Sequence, residues 1–392
     1  MAISKKSLKY SKFGLTGSHK RIGINFWRFF FSGVATGTGV ESRFFIEIEM
    51  LNPWYSPSEP LLGYKPRIKI KEEDLQYALA GTQSAMELQS EKIVTPSYVV
   101  IRVGRMDGEP KQLCTYIPVK QIKFNSKPFE IIAGKQVFSE NDLSGEIVIS
   151  GDDITKHPEY LCDQGTASWN LKYDIIKDCL DGYENQSDKW FPLGMQSCFS
   201  GILNFDGDDF VVEPKKSFGY IDRYWAKSFP EVWFHLSSSN LTSMITGKTL
   251  FNTAFTSQGI FENNISFLAN FEGLDIQFCA DNTKGKYTTV WNCLEAPEPD
   301  EDGDKRLHWS LSINSKQWIM DLDIYCKLKD LYNRKLELPE GERKVLSVLQ
   351  SATGIGEIKL YKRIKNDLEQ IEYARISNAV CEFGHIEETD NN

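Results

Sequence analysis

The sequence predicts an all-β protein, a sandwich or barrel architecture in two tandem domains, and three observations predict it. Stretches with apolar residues at every second position recur along the chain, separated by turn residues. Aromatic residues make up 12% of the 392 residues, which suits pleated, ligand-lined interiors better than helical bundles. Only Glu72–Glu91 has sustained helical character, and Gly81 interrupts it, so short helical pieces alone are expected there.

In chain order, residues 1–21 read as a basic arm without an apolar core, which is not a secretory signal. Ile22–Ser32 and Arg43–Leu51 read as strands. In the second, Ile46, Ile48 and Met50 alternate with Glu47 and Glu49, the pattern of a half-buried strand with a solvent-facing pair of acids, although the same pair would also reach into a cavity. Strands follow at Tyr98–Val103, Leu113–Ile117, Phe129–Ile132, Gly145–Ser150 and Ala167–Ile176, with turns at Asp107-Gly108 and Gly151-Asp152. Cys198–Asn204 and Phe210–Glu213 flank Asp206-Gly207, a hairpin signal. The second half repeats the style at Val232–Ser237, Ile260–Phe271, Leu274–Ala280, Tyr287–Leu294, Leu307–Ile313, Gln317–Lys329, Gly356–Arg363 and Ile371–Phe383.

Trp27 opens an aromatic strand soon followed by a second, and Trp225 to Trp233 echoes it, which points to a duplicated β-domain. The division is placed at Glu213–Ser217, giving an N-terminal domain over 22–214, a C-terminal domain over 215–385 and a polar tail over 386–392.

The formal charge of −9 argues against nucleic acid as a partner. No run approaches the ~18 apolar residues of a membrane span, so a cytoplasmic protein is expected, with peripheral membrane contact left open. Eight cysteines form no C-x-x-C pair and are expected as reduced, mostly buried thiols. No metal site is expected. Gly247-Lys248-Thr249 lacks the earlier glycine of a phosphate loop, and Asp300–Asp304 lacks the glutamate that would complete a calcium loop, since Trp309 stands in its place.

The chemistry concentrates in Ser217–Leu241, where Tyr220, Tyr224, Trp225, Phe229, Trp233 and Phe234 surround Asp222, Arg223, Lys227 and His235. Aromatic walls with a few charges suit a pocket for a large apolar ligand with one reactive polar point. Gly219, Tyr220, Asp222, Trp225, Phe229, Pro230 and Trp233 resemble the G-Y-x-[DE]-K-N-W-G-x-x-F-P-x-x-W motif of the tocopherol cyclase-like family. Arg223, Tyr224 and Ala226 replace its Lys, Asn and Gly. Trp190-Phe191-Pro192 with Met195–Cys198, Gly354–Arg363 and Asn378–Gly384 are also similar to that family, whereas Trp27 and Arg28 depart from its F-E-G-W-Y-type strand.

The resemblance implies two lipocalin-like β-domains in tandem. It also implies acid-promoted cyclisation of a prenylated quinol, or hydration of an alkene, without metal, nucleotide or redox cofactor. On that reading Asp222 is the proton donor, Tyr220, Tyr224, Trp225 and Trp233 line the ligand, and His235 assists proton transfer. The residues alone leave other roles open. Asp222 could pair with Arg223 or Lys227, Trp225 and Trp233 could be core packing, and His235 could be structural, while Glu382 stays equally open. A non-catalytic lipid or pigment carrier is the alternative function, and an assembly protein with a filled interior the third.

Overall fold

The computed structural model describes residues 22–64, 76, 79–81, 94–126, 128–178, 183–184, 188–214, 219–260, 263–279, 287–341, 344–365 and 367–387. The basic arm, nearly all of Glu72–Glu91 and the tail beyond Glu387 lie outside them. Over the described residues the chain is all-β, in two large sheets, one a barrel and one a half-barrel.

The first sheet holds β1 (Ile24–Ala35), β2 (Glu41–Leu51), β3 (Tyr98–Arg105), β4 (Lys111–Ile117), β5 (Lys123–Ser126), β6 (Phe129–Ala133) and β7 (Gln136–Ser139). It continues through β8 (Asp142–Ile149), β9 (Gly165–Asp178), β10 (Tyr183–Glu184), β11 (Asp188–Phe205), β12 (Asp208–Val212) and β13 (Tyr220–Ala226). The second holds β14 (Val232–Ser238), β15 (Leu241–Ser243), β16 (Ala254–Ile260), β17 (Asn263–Phe271), β18 (Leu274–Phe278) and β19 (Tyr287–Glu295). Its remaining strands are β20 (Arg306–Ser315), β21 (Trp318–Lys327), β22 (Tyr332–Glu337), β23 (Val345–Ile364) and β24 (Asp367–Glu387). In space the first runs β4-β3-β2-β1-β12-β11-β9-β8-β7-β6-β5, with β13 also paired to β1 and β11. The second runs β18-β17-β16-β14-β24-β23-β21-β20-β19.

β13 follows the division expected at Glu213–Ser217, yet it belongs to the first sheet. It fills the pairing edges of β1 and β11 that the short β12 leaves uncovered, so the chain changes sheets between Ala226 and Val232. Pro192 is accommodated within β11 because the register to β13 slips between Phe191 and Gly194. At the expected hairpin, Asp206 and Gly207 both take positive φ (53° and 89°), as a two-residue turn requires. Gly151-Asp152, expected as a turn, opens the short helix α1 (Gly151–Lys156), because Ser150 and Asp153 cap it reciprocally.

Each sheet encloses an apolar cluster. Trp27, Phe29 and Phe31 of β1 and Ile46, Ile48 and Met50 of β2 point into the first; Phe234, Leu236, Trp309 and Met320 point into the second. The alternate residues of β1, β2 and β13 are buried as well, because the second sheet packs on their other face. Glu47 and Glu49 are therefore buried rather than solvent-facing. At Asp300–Asp304, the side chains of Asp300, Asp302 and Asp304 converge on the Lys327 ammonium at 2.8–2.9 Å, so a cation supplied by the chain itself balances this acidic turn.

Close approach of β21 and β23 demands a glycine at one point. A Cβ on Gly356 would lie 1.9 Å from the Asp323 carbonyl oxygen, a backbone atom that cannot turn aside. Gly356→Ala is expected to destabilise the protein by about 1–3 kcal/mol in denaturant unfolding, the range for overpacking; an unchanged midpoint would contradict this packing.

Candidate functional site

The face shared by the two sheets, called the seam here, carries two facing rows of polar residues. Successive strand pairings in the first sheet set Asp222, Arg28, Glu47, Arg102 and Cys114 side by side. In the second they set Gln258, His235, Glu382, Gln350 and Tyr332 side by side. Period two places these residues on the seam while their sequence neighbours fill the sheet interiors.

The rows are stitched together by a closed ring of buried side chains. Arg28 donates to both oxygens of Asp222, from Nε at 2.9 Å and Nη2 at 2.6 Å, and from Nη1 to Glu382 Oε2 at 2.6 Å. His235 Nδ1 lies 2.9 Å from the same Glu382 oxygen, and its Nε2 lies 3.3 Å from Thr256 Oγ1. Thr256 donates to the Tyr220 hydroxyl at 3.1 Å, which donates to Asp222 Oδ2 at 3.2 Å and closes the ring. Trp190 Nε1 adds a further donor to that oxygen at 3.1 Å.

A second network lies beside it. Arg334 of β22 grips Glu47 with two nitrogens, and also donates to Gln112 and Gln350. Arg102 pairs with Glu49. Tyr98 donates to Glu337 Oε2 at 2.9 Å.

Burial by itself pushes Glu382 up, but the Arg28 charge and the His235 contact overcome it and hold the carboxyl at about 2. Among the described residues no arginine lies against Glu337. Burial pushes it up to about 7, although Tyr98 and the backbone at Tyr64 and Gly63 pull the other way. Burial likewise raises Glu49 in spite of Arg102. The protein thus buries one carboxyl locked as an anion and another that exchanges its proton near neutrality.

The structure gathers some of the expected residues and separates others. Tyr220, Asp222 and Tyr224 do share a face, but that face is the seam and not an open lumen. Asp222 pairs with Arg28, not with Arg223 or Lys227, because Arg223 points to the opposite side of β13. Both Asp222 oxygens accept from N–H and O–H donors of Arg28, Trp190 and Tyr220, an ion-paired setting in place of the ligand-facing one expected of a proton donor. Trp225 also lies on the opposite face, stacked on Phe191 at 4.7 Å inside the first sheet and away from the other expected lining residues. Arg223 joins it there, 4.7 Å from the Trp225 ring and 5.2 Å from the Trp27 ring, and burial lowers its guanidinium to about 9. Tyr224 and Trp233 border a crevice with Phe26, Phe229, Pro230, Gln258, Gly259 and Ile260. His235 is a ring member.

Arg28, Arg102, Thr256, Arg334 and Glu337 were not singled out as site residues. A signal for two of them was present: Arg28 in an aromatic strand (FWRFFF) and Arg102 in YVVIRV are lone charges where both faces of the strand are otherwise apolar.

No family model matches the chain, and no curated protein matches it; the resemblance to the tocopherol cyclase-like family therefore has no support from those comparisons. Among solved structures, the chain is similar to a protein described as an AttH from Nitrosomonas europaea, at 10% identity and a TM-score of 0.44, over 92% of this chain and 94% of that one. It is similar to kievitone hydratase from Nectria haematococca at 13% identity and a TM-score of 0.40, over 95% and 93% of the two chains. Likenesses at this level do not bear on activity.

Two measurements check the seam electrostatics. Arg28→Met strands two buried carboxylates and is expected to cost about 3–5 kcal/mol, part of which Glu382→Gln recovers in the double variant. Glu382 is depressed from its ordinary 4.5, so its contribution is present above about pH 4.5 and is lost as the pH falls toward 2. Glu337 is raised, so its contribution is complete below about pH 4.5 and is lost as the pH rises through 7. Glu337→Gln is expected to flatten the stability profile between pH 5 and 7, by up to roughly 3 kcal/mol; an unaltered profile would show that Glu337 does not titrate there.

Proposed function

We propose that this chain is a small-molecule-binding protein that takes an apolar ligand of isoprenoid type at the seam. The observation that carries the reading is the crevice of Phe26, Tyr224, Phe229, Pro230 and Trp233, whose aromatic walls come from both sheets. It belongs to a seam cluster that also includes Tyr98, Trp190, Leu336 and Leu338. The crevice has room for about one water, so a ligand enters by displacing residues 227–231, the connection that carries Phe229 and Pro230. Trp233 Nε1–H is buried without an acceptor among the described residues, and a ligand hydroxyl would satisfy it.

The ion pair of Asp222 with Arg28 favours binding without turnover at that residue, which is the carrier form of the function. One observation favours a catalytic form. Glu337 accepts from Tyr98 of the same cluster and is poised near neutrality, as a general acid for alkene cyclisation or hydration would be.

Native mass spectrometry of the purified protein after lipid extraction is expected to find an apolar ligand. Tryptophan fluorescence is expected to show saturable binding of a polyprenyl alcohol. Trp233→Phe is expected to weaken the alcohol about 5- to 100-fold, the range for a buried hydrogen bond, while leaving a hydrocarbon of equal length nearly unaffected. Glu337→Gln keeps binding, and in the catalytic form lowers turnover by roughly 10²–10⁴. No co-purifying ligand and no saturable binding would overturn both forms.

A further inference from the structure

On the outer face of the second sheet, β21, β23 and β24 enclose a groove of about 640 Å³, a volume typical of small-molecule sites. It is separate from the seam: Asp323, Tyr325 and Glu357 alternate with Ile324 and Ile358, which point into the sheet interior. The concavity is built into the backbone. The register of β23 on β24 slips twice between Ser351 and Gly356, and irregularities of this kind bend a strand and re-aim its side chains. Gly356 lies against the β21 backbone at the groove floor. The Met244 backbone N–H, bonded to the Tyr373 carbonyl at 2.7 Å, fixes one rim.

Asp323, Glu357 and Arg375 stand side by side across three strands. Directly opposed carboxylates repel unless compensated, and here each has its own partners. His308 Nε2 lies 2.8 Å from Asp323 and its ring stacks on Tyr325 at 4.2 Å. Glu357 accepts from Lys359 Nζ and from the Tyr373 hydroxyl, both at 2.5 Å, contacts that hold it below the usual carboxylate range. The row therefore has no outstanding need for a counter-ion. It offers carboxylate oxygens as acceptors and the Arg375 guanidinium as a donor, at the strand spacing of about 4.8 Å. That spacing is about the span of hydroxyls across a six-membered sugar ring. Met244 and Ile355, both half exposed (53% and 54%), supply an apolar rim for the C–H faces of such a ring.

We propose that this groove binds a neutral saccharide of one or two rings, with Asp323 and Glu357 accepting its hydroxyls, Arg375 donating to them, and Met244, Ile355 and Tyr373 packing on its carbon faces. The site is independent of ligand binding at the seam.

The test is ligand-observed saturation-transfer NMR on the full chain with maltose and glucose, and with glucuronate and glucosamine as charged analogues. The neutral sugars are expected to bind saturably and more tightly than either charged analogue. Glu357→Gln is expected to weaken maltose about tenfold or more, as loss of a charged acceptor does. Ile355→Arg alters only an exposed rim residue, so it keeps the fold and is expected to abolish the signal. No saturable transfer with neutral sugars, tighter binding of a charged analogue, or maltose signals that persist in Ile355→Arg would overturn the proposal.

Discussion

The two sheets are joined by a reciprocal exchange of arginines. Arg28 leaves the first sheet to reach Glu382 of the second, and Arg334 leaves the second to reach Glu47 of the first. All four side chains are buried. Charges withdrawn from water are costly, and the cost is offset only where the geometry is good and the remaining hydrogen-bonding positions are filled. Here they are largely filled: Asp222, Gln112, Gln350 and His235 complete both ends. Apolar surfaces alone could slide over one another with little loss, whereas these pairs accept one alignment of the sheets.

That alignment determines what the central aromatic stretch can do. Once Arg28 is committed to Asp222 and Glu382, the carboxyl of β13 becomes an anchor for the seam. A carboxyl away from Arg28 and Arg334 keeps more freedom to exchange a proton. Glu337 is such a group, with a tyrosine hydroxyl and backbone as its neighbours. Two buried glutamates, one near 2 and one near 7, show how far the position of a guanidinium separates like groups.

The outer groove follows a different logic. Its carboxylates are half exposed and paired within one sheet, so they add little to stability. Their contribution is an ordered row of acceptors and donors on a surface that Gly356 and the strand irregularities make concave.

Several features were legible in the sequence because they depend on near neighbours. Period-two alternation located most of the strands, Asp206-Gly207 specified its turn, and the alternation of β13 put Tyr220, Asp222 and Tyr224 on one face. Other strands were not legible, among them β16 and the first part of β23, where the polar residues are themselves buried and alternation carries no contrast. Which way a face looks was not legible at all. Glu47 and Glu49 alternate with apolar residues as a solvent-facing pair would, yet a second sheet covers them, and Asp222 found its partner 194 residues away on β1 rather than beside it. Alternation records that two faces differ; only the packing of one sheet on the other decides which of them meets water, and with it which carboxyl is held as an anion and which stays able to carry a proton.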